Sequence, residues 1–277
     1  LLRRILLLIS VFNFTRMNAR VNLNTEMSSR MRLSSVFLYT NEERDALPEN
    51  GIGSVLYNTI NAFPTDPVQE ANGTYSYLEE VSDIINPIAQ MQNTYNTSYV
   101  DKFVGKEEIA FDITKNLTFT NRFSYNFALV DQKAFSPLAW YGPGKAQNSA
   151  LNANLDPTQV EIAPGTLIDR GASVYEARAT YSDLNFESYV NHEYTFRLIH
   201  RLKTTAGISV FSRNGKGLGG TAFNIPNNSI EYADISANLA PGGFLNNANS
   251  FQFQERLLST FIRTEYRYGT KYNGSFI

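Results

Sequence analysis

The sequence predicts an all-β protein: an antiparallel, up-and-down transmembrane β-barrel, incomplete, with about eight strands of a larger barrel and long extracellular loops. Three observations carry that prediction. Half of the chain lacks proline altogether, that half alternates apolar and polar residues with a period of two, and short links alternate with very long ones. Proline cannot donate to a strand ladder, so its exclusion from whole stretches is a strand signal. All ten prolines fall within 41–104, 131–172 and 214–250.

The strands read in order as 14–25, 30–40, 105–114, 117–130, 173–199, 203–213, 251–268 and a start at 272–277. In the first, Met17, Ala19, Val21 and Leu23 interleave with Asn18, Arg20, Asn22 and Asn24. The third sets Ile109, Phe111 and Ile113 against Glu108, Ala110 and Asp112. In the fourth, Leu117, Phe119, Phe123, Tyr125, Phe127 and Leu129 face away from Thr118, Arg122, Ser124 and Asn126. Each set gives a strand one apolar and one polar face. The fifth segment is long for one strand, and Ser182–Phe186 breaks its pattern; an irregularity is expected there, with a separate turn as the alternative. Residues 1–13 open with LLRRILLLISVF and lack a small-x-small cleavage pattern. They read as non-native context or as a weak hydrophobic leader or strand, ahead of a barrel segment over 14–277.

The links decide between soluble and membrane sheets. Glu26–Ser29, Lys115–Asn116, His200–Lys203 and Gly269–Lys271 are short, whereas the three proline-bearing connections are long. A soluble sandwich keeps its loops short. A barrel in an outer membrane has tight turns on one side and long loops on the other, because irregular backbone cannot sit unpaired in hydrocarbon. No apolar run is long enough for a membrane helix. A soluble all-β carbohydrate-binding module, and a small complete outer-membrane barrel acting as adhesin or structural protein, give similar alternation and remain the alternatives.

Composition excludes much chemistry. There are no cysteines, two histidines and a net charge of −2. Disulfides, thiolate metal sites and a nucleic-acid footprint are therefore not expected. Gly215–Gly220 (GKGLGG) matches G-x-G-x-x-G, but the following TAFNIP is extended and ends in proline, so it reads as a loop apex and not as a nucleotide site. His192 and His200 stand too far apart on an extended chain, about 26 Å at 3.3 Å per residue, to share a metal. Glu107 and Glu108 point to opposite faces of a strand, the wrong placement for an acid/base pair, and read as solvated or lumen charge. No catalytic, cofactor or metal residue is expected, and no enzyme. Aromatic residues carry the remaining interest. Trp140, Tyr141, Tyr95 and Tyr99 lie in or near proposed loops, where flat rings suit stacking on sugar or peptide groups, or simple loop packing. Tyr125, Tyr194, Tyr266 and Tyr268 fit an aromatic girdle.

Several segments resemble the SusC/RagA-like TonB-dependent outer-membrane transporters. They are Arg16–Asn24 (RMNARVNLN), Asn61–Pro67 (NAFPTDP) with Asn72–Tyr75 and Asn86–Ala89, Phe103–Phe119, His200–Ser209, and Phe251–Tyr272. The resemblance implies energised import of glycan- or oligopeptide-type nutrients at the outer membrane, with outer-membrane lipid around the wall. It also implies a SusD-like lipoprotein over the extracellular loops and the TonB complex pulling on a plug. No stretch of the chain matches the family's plug domain. A 22-stranded barrel needs on the order of 730 residues, so the chain is expected to supply about a third of one. An isolated segment of this kind leaves two open edges, which predicts aggregation or a curved open sheet.

Overall fold

In the computed structural model, the described residues are 13–46, 54–78, 81, 84–137, 139, 141, 159–163, 166–169, 172–223, 225–226, 229–237 and 247–277. The leader expected over 1–13 lies outside them except for Asn13, which opens the first strand. Among the described residues, ten strands and two short α-helices follow one another: β1 (Asn13–Ser28), β2 (Met31–Asp45), α1 (Val55–Asn61), α2 (Pro87–Gln92), β3 (Tyr95–Thr114), β4 (Leu117–Ser136), β5 (Gln159–Ala163), β6 (Thr166–Asp169), β7 (Ser173–Phe196), β8 (His200–Phe223), β9 (Asn247–Tyr268) and β10 (Tyr272–Phe276). Eight of the strands form one sheet in the order β1-β2-β3-β4-β7-β8-β9-β10, while β5 and β6 pair separately within a loop. All pairs in the large sheet are antiparallel. This is an up-and-down meander with both edges free. A closed eight-stranded barrel would pair β1 with β10, and among the described residues it does not.

The registers are even enough to assign every side chain to a face. One face takes Val21, Phe37, Phe103, Phe127, Leu184, Phe186, Val210, Leu258 and Ile262; the other takes Arg20, Lys106, Glu108, Arg122, Asn126, Asp183, Asn185 and Arg213. The apolar face is bare. Phe103 is 40 % exposed, Phe127 46 % and Leu258 71 %. The accessible surface is 17832 Å², against about 12,000 Å² for a compact monomer of this mass. Large apolar side chains left bare side by side on one face mark a surface that meets lipid or protein.

The sheet is staggered as well as two-faced. Apart from Glu107, the apolar face of β3 gives way toward the loops at Asp101, in the same row as Asn41 of β2. On β8 and β9 it turns polar at Ser212 and Arg256, whose row runs back through Leu184 and Tyr125 to Gly105, four residues nearer the turns than Asp101 on β3. The turns step the same way: Leu117 opens β4 opposite His192, yet β7 continues to Phe196 before turning. A step of about one residue per strand corresponds to a tilt of about 35°, within the barrel range.

The conventional core is small and sits at the loop end. Phe135, Val174 and Ala222 are covered by Ile225 and Ala233, whose segment folds back over the apolar face beyond its bare part. Lys133 Nζ donates to the Ala233 carbonyl at 2.5 Å. A second cluster lies within the β2–β3 connection, and a third joins that connection to Ala139 and Tyr141 after β4.

Several sequence readings need correction. β7 is one uninterrupted strand; Ser182–Phe186 stays in register with both neighbours, with Asp183 and Asn185 on the polar side and Ser182 in the apolar row of Phe127. The link expected at His200–Lys203 is a turn at 197–199, and His200 already pairs with Phe196. Arg197 and Leu198 adopt positive φ without glycine or asparagine, so the turn carried no residue signal. Gly215–Gly220 is not a loop apex. It lies inside β8, where Gly215 and Gly217 pair with Phe253 and Phe251. Tyr125 is not at a girdle but in the middle of the apolar face, its ring laid over Gly105.

The glycines of β8 are required by those rings. A Cβ at Gly217 would stand 2.4 Å from Phe251 Cε1, and one at Gly215 2.3 Å from Phe253 Cε1. Gly217→Val therefore displaces Phe251 and lowers stability by about 1–3 kcal/mol. Gly274→Ala, where a Cβ meets nothing within 4 Å, is neutral. Urea unfolding in detergent followed by circular dichroism checks the contrast.

Candidate functional site

The polar face is held by a cross-strand network. Arg122 on β4 donates through Nε to Glu108 Oε2 at 2.7 Å, through Nη1 to Glu187 Oε2 at 3.0 Å and through Nη2 to the Tyr189 hydroxyl at 3.0 Å. Arg32 grips Asp112 with two nitrogens, at 2.5 and 2.9 Å. Asp183 accepts from Asn126 at 3.2 Å and from Arg213 at 3.1 Å. Forked guanidinium contacts fix orientation as well as charge. Together they give a wet wall whose long side chains are stiffened by neighbours on adjacent strands. A shallow hollow of about 420 Å³ opens on it between Arg20, Lys106, Asn126, Asp183 and Asn185.

Glu107 departs from the lumen role expected of it. Glu108 is on the polar face with Arg122, but Glu107 points to the apolar face and accepts from the Ser35 hydroxyl, its Oε1 buried without a partner. Adjacent strand residues cannot share a face.

The long β2–β3 connection builds the largest ordered loop. Ser54 caps α1 by accepting from the Tyr57 N–H at 3.2 Å. Asn86 caps α2, accepting from Ile88 and Ala89 N–H, while its amide donates to the Val68 and Ser76 carbonyls. The two helices are tied by Asn58 Nδ2 to Gln90 Oε1 at 2.8 Å, both side chains buried. Capping side chains supply partners that short helices lack at their first turn. A cavity of about 340 Å³ lies against this unit between Tyr75, Asn86, Asn93 and Tyr141.

Of the four aromatic residues singled out by sequence, the three that are described each have different neighbours. Trp140 lies outside the described residues. Tyr141 is buried and packs with Ile85 and Ala89, tying the β4–β7 connection to α2. Tyr95 is 41 % exposed and its ring is 5.9 Å from Phe135. Tyr99 is 47 % exposed on the outward face near Asp131. The two histidines lie on facing strands near the turn end: His200 stacks on Phe196 at 4.4 Å and meets the Tyr266 hydroxyl at 2.6 Å, and His192 stacks on Tyr194. With Tyr268 and Tyr272 they form an aromatic band there. No cluster of metal-ligating side chains occurs among the described residues.

The class this sheet defines is the wall of an antiparallel up-and-down β-barrel, dry on one face and polar on the other. No family model matches the chain. TonB-dependent receptor P3 of Formosa agariphila is 23 % identical over 226 residues, which is 82 % of this chain and 20 % of that protein. Among solved structures, chains of the RagAB peptide transporter and of the RagAB peptide importer in its open-open state superpose with TM-scores of 0.70 and 0.71 at 13 % identity. They cover 93 % and 94 % of this chain and 26 % of each of theirs. The resemblance to SusC/RagA-like TonB-dependent transporters thus holds in sequence through the receptor and in fold through the RagAB chains. The chain spans about a fifth to a quarter of the length of these relatives.

Burial pushes the Tyr141 hydroxyl above its ordinary ionisation range, with the Asn93 side chain opposing in part. A raised folded pKa means that the neutral phenol stabilises the loop fully below about pH 10, the unfolded value, and that this contribution is lost as pH rises beyond it. In an absorbance titration of the 16 tyrosines, Tyr141→Phe should remove the last component to ionise; loss of an early component instead would contradict the buried placement.

Proposed function

We propose that the chain is part of the wall and loop layer of a TonB-dependent outer-membrane transporter that imports glycan- or oligopeptide-type nutrients. The carrying observation is the two-faced sheet. Its apolar face is bare across β1–β4 and β7–β9, while the opposite face carries the arginine and carboxylate network. The apolar face would meet lipid, and the network would line the lumen. The turn end, with its aromatic band, would face the periplasm. The loop end, bearing α1 and α2, would face outward and meet a SusD-like lipoprotein, with TonB acting through a plug. The RagAB relatives are a peptide transporter by name; for this chain the substrate reading rests on that likeness and on the loop aromatics. Of the loop aromatics, Trp140 and Tyr95, at the loop end, are the proposed contacts to substrate, because Tyr141 is buried against α2 and Tyr99 stands on the outward face. The chain performs no chemistry of its own in this reading.

The soluble-module alternative would need a second layer to cover the apolar face, and the described residues provide one only at the loop end. Expressed with an export signal in a Gram-negative host, the chain should sediment with the outer-membrane fraction and resist carbonate extraction. Protease added to intact cells should then cut within 47–94, 137–172 and 224–246 while leaving the strands. A chain that is released by carbonate and runs as a folded monomer in plain buffer overturns the proposal.

A further inference from the structure

The apolar, outward face carries its charge unevenly. Among the described residues, the strands of the large sheet turn Lys133, Arg178, Lys216 and Arg256 to that face, and all of these lie on the loop side of the apolar band. On the turn side no lysine or arginine of the strands points outward; Arg201, Lys203, Arg263 and Arg267 of β8 and β9 all belong to the polar face. Two of the outward cations are paired on the sheet: Arg178 Nε meets Asp131 Oδ1 at 2.5 Å, and Lys133 Nζ meets Glu176 Oε1 at 3.0 Å. Lys216 and Arg256 are exposed, and no carboxylate of the described residues stands within ion-pair distance of either.

Both of these unpaired cations border the dry layer. Arg256 is the first polar residue beyond Leu258 on β9, and it pairs with Ser212, the first beyond Val210 on β8. Lys216 follows four residues later on β8, about 13 Å farther along the strand. Between them the outward face presents Asn214, Gln254 and Gln252, amides that can donate as well as accept. No acidic residue stands on the outward face of β8 or β9. Elsewhere the border has the opposite sign: β2, β3 and β4 turn Glu43, Asp101 and Asp131 outward. An anion at the edge of the dry layer is therefore repelled at β2–β4 and received at β8–β9.

We propose that the outward face of β8 and β9 binds a phosphorylated glycolipid of the outer leaflet, with its phosphate at Arg256 and Lys216 and its acyl chains along Leu258, Val210 and Ile208. The inference rests on the assignment of the apolar face to lipid and goes beyond it, since that assignment requires only hydrocarbon. A soluble anion would make no use of the apolar rows directly below the cations, whereas a lipid presents phosphate and hydrocarbon in that order. The height of the patch selects the kind of lipid. A glycerophospholipid headgroup layer is about 5–7 Å deep, whereas the cations and amides rise over about 13 Å of tilted strand. A headgroup with phosphate low and hydroxyls above it fits that height, and the arginine fork suits phosphate oxygens.

Native mass spectrometry of the chain released from dodecylmaltoside micelles tests this. The probe is diphosphoryl lipid A; the comparisons are the same lipid after phosphatase treatment and dimyristoylphosphatidylglycerol. Adducts of the phosphorylated lipid A are expected, with both comparison lipids binding about tenfold or more weakly. Lys216→Gln with Arg256→Gln keeps hydrogen-bonding side chains but removes both charges, and should weaken lipid A binding about tenfold or more. Arg201→Gln with Arg267→Gln removes the same charge from the polar face at the turn end and should leave binding unchanged. Circular dichroism in the same micelles verifies that each variant keeps its sheet. Equal binding of either comparison lipid, indifference to the loss of Lys216 and Arg256, or an equal loss from the Arg201 and Arg267 variant overturns the inference. The membrane assignment would survive any of these, since it fails only if the chain leaves the membrane on carbonate treatment.

Discussion

Everything in this structure depends on a backbone that must satisfy its own hydrogen bonds where no water can. A strand in hydrocarbon has no partner for its N–H and C=O groups except another strand, and each group left open costs several kcal/mol. That constraint requires unbroken pairing over the roughly 9–11 residues of each strand that cross the dry layer, and β3, β4, β7 and β8 carry it on to 20 to 24. It also explains why irregular chain is confined to the ends, and why prolines gather there. Side chains then follow from the pleat. Every second one meets the dry medium, and the alternate ones meet water and each other.

The same constraint makes the two faces stabilise the sheet in different ways. On the dry face, Phe37, Phe103 and Tyr125 form a ladder of rings with centroids 6.4 and 5.6 Å apart, and Gly105 gives the last of them room to lie flat. On the wet face, Arg122 and Arg213 bridge neighbouring strands to carboxylates. Glycine thus serves both faces in one way, as the place where an aromatic ring from the next strand can rest on the backbone. The stagger of about one residue per strand is carried by register and not by bulges; within the large sheet, shifts occur only beside two turns, at Glu26/Ser28 and Asp112/Thr114.

Much of this was legible in the sequence, and what was not has a physical cause. The period-two pattern located the parts of β1 to β4 and β7 to β9 that cross the dry layer, because only there do the two faces differ sharply. It missed Tyr95–Val104, Asp131–Ser136 and Asn214–Phe223. Beyond the dry layer both faces are polar or glycine-rich, so pairing continues while alternation fades. The glycines of β8 look like loop residues until Phe251 and Phe253 are seen above them. The turn at 197–199 was hidden because Arg197 and Leu198 take positive φ without the usual residues. In the loops, Trp140, Tyr141, Tyr95 and Tyr99 were visible as aromatics, but the burial of Tyr141 depends on its packing against α2, a contact that no local pattern encodes. The outward cations of β8 and β9 were missed for a related reason. Lys216 and Arg256 come to one patch only through the register of the two strands.

The central claim is that one face of this sheet is lipid-exposed and the other wet. A chain without cysteines permits a clean test by single nitroxide labels placed in turn at each position of β4 from Phe119 to Leu129, in lipid bilayers. Collision with oxygen should peak at the odd positions and collision with a water-soluble nickel chelate at the even ones, alternating without a break. Equal access of the chelate to both sets, or a period that fails across those residues, would contradict the account.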